Sequence, residues 1–284
     1  MRIDCLPPVP SIFRAPSSTP VTSVQPSLPA RLASSAGAPH GSLLSRAAHE
    51  FVEGAQELLW PTRCLGCDLG GSLLCPDCRA SLSWICQAWA CPGCGAPHGF
   101  MTCTECTEPW ETRACVSSLP FGGVASRLVT GLKDAHELRL APVLAAIVLC
   151  SLDEAASWPA SDGRPRFDRA DLDAVCFVPA TPQAYARRGF DHMELVARSL
   201  SAQLGLPLAD VLSRRSASDQ RGLGREERAS NLAGSINVME RVDGLSLLLA
   251  DDVVTTGASV RECARALLAR GARSVTACSV ARVW

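Results

Sequence analysis

The feature that most restricts the fold of this chain lies near its C-terminal end, where an apolar run leads into two acids and a loop rich in threonine and glycine. Residues 245–250 predict a strand, Asp251 and Asp252 follow it, and the loop leads into a helix predicted over 260–269. A strand that passes through a short loop into a helix is the building unit of a parallel sheet covered by helices. We therefore expect an α/β fold in this part of the chain.

The chain from residue 116 onward alternates in the same way between predicted strands and predicted helices. Such alternation predicts a mostly parallel sheet with helices on both faces. The further strands are predicted over 116–121, 174–179, 206–212 and 274–283, the further helices over 124–133, 137–152 and 192–204, and the longer polar loops over 157–171 and 213–230.

The two acids and the loop after them together have the chemistry of a sugar-phosphate site: the loop can bind a phosphate, and the acids can accept hydrogen bonds from hydroxyl groups. Open α/β sheets bind ligands at the carboxyl ends of their strands, and backbone amides at the start of a helix attract anions. Thr255, Thr256 and Ser259 add hydroxyl donors, while Asp251 and Asp252 can accept from ribose hydroxyls. The run therefore predicts a sugar-phosphate site. A buried strand that ends in a helix cap would explain a single Asp or Thr but not the whole run, and the chain has no Walker-type Gly-Lys-Ser/Thr sequence.

Four Cys-x-x-Cys units account for eight of the 15 cysteines. Two residues between cysteines let a tight turn direct both sulfurs at one ion about 2.3 Å away, and two such units supply the four ligands of a tetrahedral zinc site. The spacing predicts two structural zinc sites. Sequential pairing of the units is favoured, and interleaved pairing stays open. The predicted ligands are Cys64, Cys67, Cys75, Cys78, Cys91, Cys94, Cys103 and Cys106.

Other uses of these cysteines, and of the aromatic residues beside them, are less favoured. Disulfides are rare without secretion, a redox pair would be one unit near a βαβ pattern, and an iron–sulfur cluster is a weaker alternative. The neighbouring aromatic residues would pack a small metal-stabilised domain or stack on single-stranded nucleic acid, and packing is the favoured role. These residues are Trp84, Trp89, Phe100 and Trp110.

The N-terminal region differs in composition from the rest of the chain. Residues 1–45 are rich in proline and serine and predict a disordered tail, and a short helix is predicted over 46–60, before Pro61. We expect no signal peptide, because prolines interrupt any apolar core, and no membrane span, because no apolar stretch approaches about 20 residues. The formal net charge of −1 argues against a globally basic nucleic-acid binder. A cytoplasmic protein is expected.

The run around Asp251 closely resembles the phosphoribosyl-pyrophosphate (PRPP) signature of type I phosphoribosyltransferases. The cysteine units ahead of it narrow the resemblance to the ComF family, which joins a double zinc ribbon to a phosphoribosyltransferase-like domain and is linked to DNA uptake in natural competence. Asp134 stands where that family has tyrosine, and Asp191 where it has asparagine. The resemblance covers about residues 58–284. The segments that carry it are Val178-Pro179, Arg187-Arg188-Gly189-Phe190-Asp191, Gln220 through Asn231, and Gly131-Leu132-Lys133.

The resemblance implies a double zinc ribbon over 61–115 and a type I phosphoribosyltransferase-like domain over 116–284. It implies that Asp251 and Asp252 bind the ribose hydroxyls, one of them through Mg²⁺, and that Lys133, the only lysine, meets pyrophosphate. Arg221, Arg225 and Arg228 lie in a segment that could close over pyrophosphate, although a solvated loop charge explains each of them equally well. The implied PRPP-binding residues are Asp251, Asp252, Val254, Thr255, Thr256, Gly257, Ala258, Ser259, Lys133 and Arg228.

Two functions from different classes follow as hypotheses. The first is a Mg²⁺-dependent phosphoribosyltransferase, in which pyrophosphate leaves the ribose and Asp251, Asp252 and Lys133 are catalytic because they stabilise the developing charges. The second is a PRPP- or nucleotide-sensing accessory protein in DNA uptake, without turnover, with single-stranded DNA or a competence protein as its partner. A purely structural zinc protein is disfavoured by the acidic run and its loop. No segment identifies the acceptor.

Overall fold

A computed structural model describes residues 61–106, 108–214 and 235–284. The strands are β1 (Ala114–Pro120), β2 (Ala174–Phe177), β3 (Leu212–Arg214), β4 (Ile236–Val238), β5 (Ser246–Val254) and β6 (Ser274–Arg282). The helices are α1 (Pro76–Ala80), α2 (Gly123–Lys133), α3 (Ala141–Ala155), α4 (Pro182–Arg188), α5 (His192–Leu204) and α6 (Ala258–Ala269), with 3₁₀ turns at Leu138–Leu140 and Arg169–Asp171. The predicted tail over 1–45, the helix over 46–60 and most of the polar loop over 213–230, Arg228 included, lie outside these residues.

Four of the strands form one parallel sheet in the order β1-β6-β5-β2, which confirms the predicted fold class. The long strands β5 and β6 occupy its centre, with Leu247 opposite Val275 and Asp251 opposite Ser279. Parallel strands covered on both faces are apolar throughout, and Leu247, Leu248 and Leu249 are all fully buried. The register brings the carboxyl ends of all four strands to one edge of the sheet.

The two faces of the sheet have different covers. On the first face, α2, α3 and α5 enclose a core with side chains such as Leu128, Leu144 and Val196. On the second face, α6 and the antiparallel β3–β4 pair enclose a core that includes Cys263 and Ile236. Because side chains alternate along a strand, successive residues of β5 enter opposite cores, and this decides where its two aspartates lie.

Local sequence signals explain where the helices begin and end. The carboxylate of Asp191 accepts from Met193 N at the start of α5, and Gly205 ends that helix in a left-handed conformation. The prediction of this helix over 192–204 is confirmed. The strand predicted over 206–212 is wrong in its bounds. Within that range only Leu208, which bridges to Val175, and Leu212, the first residue of β3, take part in strand pairing. Sequence reading also missed α4, which Thr181 caps.

The cysteine-rich region ahead of β1 contains little regular structure. Its one described helix, α1, spans five residues. Gln87 and Arg166 connect this region to the sheet domain, since Gln87 Nε2 donates to Ser117 O at 3.0 Å and Arg166 Nη1 donates to Gln87 O. A region with so little secondary structure requires other stabilisation, and bound metal ions can supply it.

Candidate functional site

The candidate site lies at the carboxyl end of β5, where the strand carries Asp251 and Asp252 to the edge of the sheet. Both residues are only 8% exposed. Since side chains of consecutive residues point to opposite faces, Asp252 lies on the first face, toward α2 and α5, and Asp251 on the second, toward α6. The two carboxylates therefore have different neighbours.

The carboxylate of Asp252 is held by two basic side chains. Lys133 Nζ, at the last residue of α2, donates to Asp252 Oδ2 at 2.9 Å, and His192 Nε2, at the first residue of α5, lies 2.8 Å from the same oxygen. Burial alone would raise the pKa of Asp252, but the hydrogen bond from His192 and the charge of Lys133 hold it below its ordinary value. Asp252 is therefore an ionised anchor for both basic groups.

The carboxylate of Asp251 is in a less favourable environment. Burial, and after it the negative charge of Asp252, raise the pKa of Asp251 well above its ordinary value, although Asp252 N donates to Asp251 Oδ1 at 2.9 Å. A cation or hydroxyl donors placed at this carboxylate would favour its ionised form. Asp251 is thus the acid at the strand tip that gains most from a ligand, and carboxylate oxygens are ligands that suit Mg²⁺.

β5 ends at the buried Val254, and the loop after it exposes Thr255 and Thr256 and then turns sharply at Gly257. Gly257 adopts φ of +77°, a left-handed conformation that favours glycine, and caps the 12-residue helix α6. Ala258 and Ser259 form the first turn of that helix. Two exposed hydroxyls beside the positive end of a helix dipole are suited to an anion.

Arginines surround the loop and the neighbouring end of α2. Arg214, at the end of β3, donates from Nη2 to Ser259 Oγ at 2.7 Å and from Nε to Pro179 O at 3.0 Å. Arg188 is nearly buried, with Nη1 lying 3.4 Å from His192 Nδ1 and Nη2 lying 3.6 Å from Asp134 Oδ1. Asp134 therefore contacts both Arg187 and Arg188.

Sequence reasoning did not assign His192 or Arg214 to the site. Asp191 and His192 follow Gly189 at the start of a predicted amphipathic helix, and this position at a helix start was the available signal for His192. Arg214 belonged to a span predicted as a polar loop. Its approach to Ser259 arises from the pairing of β3 with β4, which leaves no signal in the local sequence.

The eight predicted cysteine ligands form two groups of four, and the pairing is sequential. Within each group all sulfurs lie within 4.8 Å of one another. Four ligands placed tetrahedrally about 2.3 Å from zinc are about 3.8 Å apart, and the Sγ atoms of Cys67 and Cys75 are 3.6 Å apart, those of Cys91 and Cys106 3.8 Å. We call these groups the first cluster (Cys64, Cys67, Cys75, Cys78) and the second cluster (Cys91, Cys94, Cys103, Cys106).

The backbone around the first cluster is arranged for thiolates. Gly66 N and Cys75 N each donate to Cys64 Sγ at 3.3 Å. Burial opposes ionisation of Cys64, but these backbone hydrogen bonds lower its pKa to about 6. A side chain at Gly66 would overlap Cys78 Sγ, so the turn requires glycine. Both clusters can hold a zinc ion, and four cysteine ligands leave no open position for catalysis.

The aromatic residues of the cysteine-rich region differ in exposure. Trp89 is 55% exposed, Trp84 41% and Phe100 40%, whereas Trp110 is half-buried against the second cluster. Among the described residues, no helix is both long enough and apolar enough to cross a membrane.

Comparison with known proteins matches the part of the chain that contains Asp251, Asp252 and the loop after them. The phosphoribosyl transferase domain family matches residues 188–283. Among curated proteins, the DNA utilization protein YhgH of Salmonella typhi is 32% identical over 222 residues, which cover 71% of this chain and 93% of that protein. The protein of the same name in Escherichia coli K12 is 29% identical over 192 residues, covering 65% and 80% respectively.

Proposed function

Since this chain belongs to the ComF family and carries a phosphoribosyl transferase domain, we propose that it binds PRPP with Mg²⁺ at the tip of β5 and transfers the phosphoribosyl group to an acceptor, releasing pyrophosphate. The observation that carries the proposal is the junction of three groups at one sheet edge. These are the Asp251–Asp252 pair, the hydroxyl-bearing loop around Gly257, and Lys133.

Each part of the site has a role that follows from its chemistry. The loop amides and the exposed hydroxyls of Thr255 and Thr256 hold the 5′-phosphate, and Asp251 accepts from the ribose hydroxyls. Lys133 faces the leaving pyrophosphate, and Asp252 keeps its ammonium in place at 2.9 Å. Asp251 would hold a Mg²⁺ ion, which would supply positive charge that stabilises the departing pyrophosphate.

The reaction requires no covalent nucleophile from the protein. As pyrophosphate leaves, the anomeric carbon of the ribose becomes cationic, and nearby carboxylates stabilise that charge. Asp252 is suited to this role because its low pKa keeps it ionised. His192 contacts both the Arg188 guanidinium and the Asp252 carboxylate, so these two residues hold the Asp252 side chain in position.

The alternative function is a PRPP- or nucleotide-binding accessory protein that acts in DNA uptake without turnover. The curated relatives are named for DNA utilization, which favours a role near DNA. Trp89 and Phe100 are exposed beside the second cluster, where they could stack on the bases of single-stranded DNA. A shared fold supports binding of the ligand more strongly than it supports turnover.

Calorimetric titration with PRPP and Mg²⁺ tests the binding site. Wild-type protein is expected to bind, and the double variant Asp251→Asn, Asp252→Asn is expected to lose binding while retaining a cooperative thermal transition. Asp243→Asn is the matched control, because Asp243 is an exposed carboxylate that pairs with Arg241 away from the site. If the double variant binds PRPP as tightly as the wild type does, Asp251 and Asp252 do not form the PRPP site.

Turnover and DNA binding separate the two functions. Incubation of the protein with PRPP, Mg²⁺ and a panel of nucleobases is expected to release pyrophosphate only with the correct acceptor. Tight PRPP binding without release across the panel favours the sensing function.

A gel shift with single-stranded DNA over a salt series tests the DNA contact of the alternative function. Stacking contacts persist at salt concentrations that screen phosphate contacts, so Trp89→Ala and Phe100→Ala are expected to weaken the binding that remains at high salt.

A further inference from the structure

Trp110 occupies a position between the second cluster and the loop that follows β5. Its half-buried side chain packs against the cluster core of Cys91, Cys94 and Ala96, and it also packs against the core on the second face of the sheet. A single side chain therefore connects a metal-ligating region to the wall of the candidate site.

The contact with the loop is made at its turn. A Cβ atom added to Gly257 would overlap the six-membered ring of Trp110 at Cη2 and Cζ2. The indole thus lies directly against the backbone of Gly257, where the chain adopts φ of +77°. Any movement of the ring changes the space in which this turn is held.

Trp110 also reaches the loop through Arg282, the last residue of β6. The Arg282 guanidinium lies 5.8 Å from the centre of a Trp110 ring and is only 1% exposed as a residue. Its Nη1 donates to Thr255 O at 3.4 Å. A buried cation against an indole face is an attractive pairing, so the ring stabilises the arginine that supports the first half of the loop.

Ion pairs fix the segment that carries Trp110 to helix α6. Glu111 accepts from Arg261 Nε at 3.0 Å and from Arg265 Nη2 at 2.6 Å, and Glu108 accepts from Arg261 Nη2 at 3.4 Å. Arg261 lies near the start of α6 and Arg265 lies one turn further along, and the N-terminus of this helix directly follows the loop. The segment therefore contacts the turn, its supporting arginine and its helix.

We infer that Trp110 is a positioning residue for the loop around Gly257, and that through it the metal held by the second cluster and the phosphoribosyl ligand strengthen each other's binding. The nature of the ligand rests on the proposed function, whereas the coupling of metal to loop geometry does not. Coupling between two sites is reciprocal, so metal loading at the second cluster tightens ligand binding, and bound ligand slows loss of that metal.

The first measurement needs no ligand. Hydrogen exchange of the peptide that contains residues 254–260 is compared in zinc-loaded wild type, Trp110→Ala, Trp110→Phe and the control Trp158→Ala. Trp158 is a partly exposed tryptophan of the loop after α3. Trp110→Ala is expected to accelerate exchange in this peptide while the β6 peptide stays protected, and Trp110→Phe, which keeps a ring against Gly257, is expected to restore most of the protection.

The second measurement adds PRPP and Mg²⁺ by calorimetry. Trp110→Ala is expected to weaken binding about tenfold, within the usual range of coupling between sites, whereas Trp110→Phe and Trp158→Ala bind as the wild type does. Wild-type protein that fails to bind PRPP would defeat the proposed function but not the positioning role, which the exchange data decide. Unchanged loop exchange in Trp110→Ala overturns the inference whatever the binding data show.

A third comparison separates positioning from general loss of stability and keeps Trp110 in place. Cys103→Ser removes a ligand of the second cluster and Cys67→Ser removes one of the first, with zinc content measured for each protein. Faster exchange at residues 254–260 in Cys103→Ser alone supports the coupling. Equal acceleration in both variants, or none in Cys103→Ser despite loss of one zinc ion, overturns it.

Discussion

The two faces of the central sheet each carry one aspartate of the site, and each is contacted by residues next to one cysteine cluster. On the first face Asp252 meets Lys133 of α2, and Leu65 and Leu74, which neighbour ligands of the first cluster, pack against the same core. On the second face Asp251 lies beside α6, and Trp110, which packs against the second cluster, also packs on the loop. The same motif thus supports two chemically different halves of one site.

The supports differ in how they make contact. The first cluster acts on the body of α2, where Arg127 Nε donates to Leu65 O at 2.8 Å and Arg127 Nη2 to Gly66 O at 2.9 Å. These bonds lie more than one helical turn before Lys133. Trp110, which packs against the second cluster, contacts the turn at Gly257 itself. A cluster that contacts a helix body stabilises the fold, whereas a cluster that contacts a ligand loop can also tune binding.

The largest expected effect is loss of one cluster at a time. Gly66→Ala places a methyl group on Cys78 Sγ, so bound zinc is expected to fall from two ions per chain to one and residues 61–80 to lose protection from proteolysis, because small metal domains fold with their metal. Elemental analysis and limited proteolysis measure this. Gly70→Ala is the control, since the nearest atom to its added Cβ is Thr62 O at 3.9 Å. Two zinc ions retained in Gly66→Ala would contradict the geometry.

The next effect is on the first face. Asp252→Asn removes the charge that pairs with Lys133 and His192, and we expect a loss of about 1–3 kcal/mol in the free energy of unfolding at pH 7 because buried hydrogen-bonding groups lose their charged partner. The folded-state pKa of Asp252 is depressed, so this stability is present above the ordinary pKa and is lost as pH falls through the lower folded value. Denaturant titrations at pH 7 and pH 3 measure the difference in the free energy of unfolding between wild type and Asp252→Asn. This difference is expected to be smaller at pH 3, and a larger difference there would contradict the prediction.

The second face should respond in the opposite direction. The pKa of Asp251 is raised by burial and by Asp252, so its ionisation in the folded protein costs stability as pH rises through that higher value. Asp251→Asn removes this cost and keeps an oxygen to accept from Asp252 N. Thermal unfolding of ligand-free protein is expected to occur at higher temperature than wild type at pH 8 and at nearly the same temperature at pH 4. A destabilised variant at pH 8 would show that Asp251 is already compensated.

The smallest effect concerns the ion pairs that hold the Trp110 segment. Glu111→Gln should cost up to about 1 kcal/mol, because Glu111 pairs with two arginines, and Glu108→Gln should cost less, because exposed pairs contribute little. The side chain of Glu108 is 72% exposed. Chemical denaturation measures both. If Glu108→Gln lowers the free energy of unfolding more than Glu111→Gln does, the ion pairs of Glu111 with Arg261 and Arg265 are not the main contacts that hold this segment.

Much of the fold was predictable because it depends on local patterns. The continuous apolar run before Asp251 predicts a buried parallel strand, and Asp191 with Gly205 bounds α5 correctly. The β3–β4 pair was missed because three-residue strands carry almost no periodicity. The helix α4 was missed because it buries no residue and so shows no apolar face.

The sequence by itself determined the inventory of the site: an acidic strand end, a loop with hydroxyls and glycine, one lysine, and two sets of four sulfurs with zinc-ligand spacing. Only the tertiary structure decided which groups meet. Strand alternation sends Asp252 to Lys133 and His192 and Asp251 to the opposite face, and packing brings Trp110 onto Gly257 across about 150 residues of chain. Local pattern specifies which chemistry each element carries, but contacts between distant segments arise from how the elements pack, and no spacing in the sequence records them.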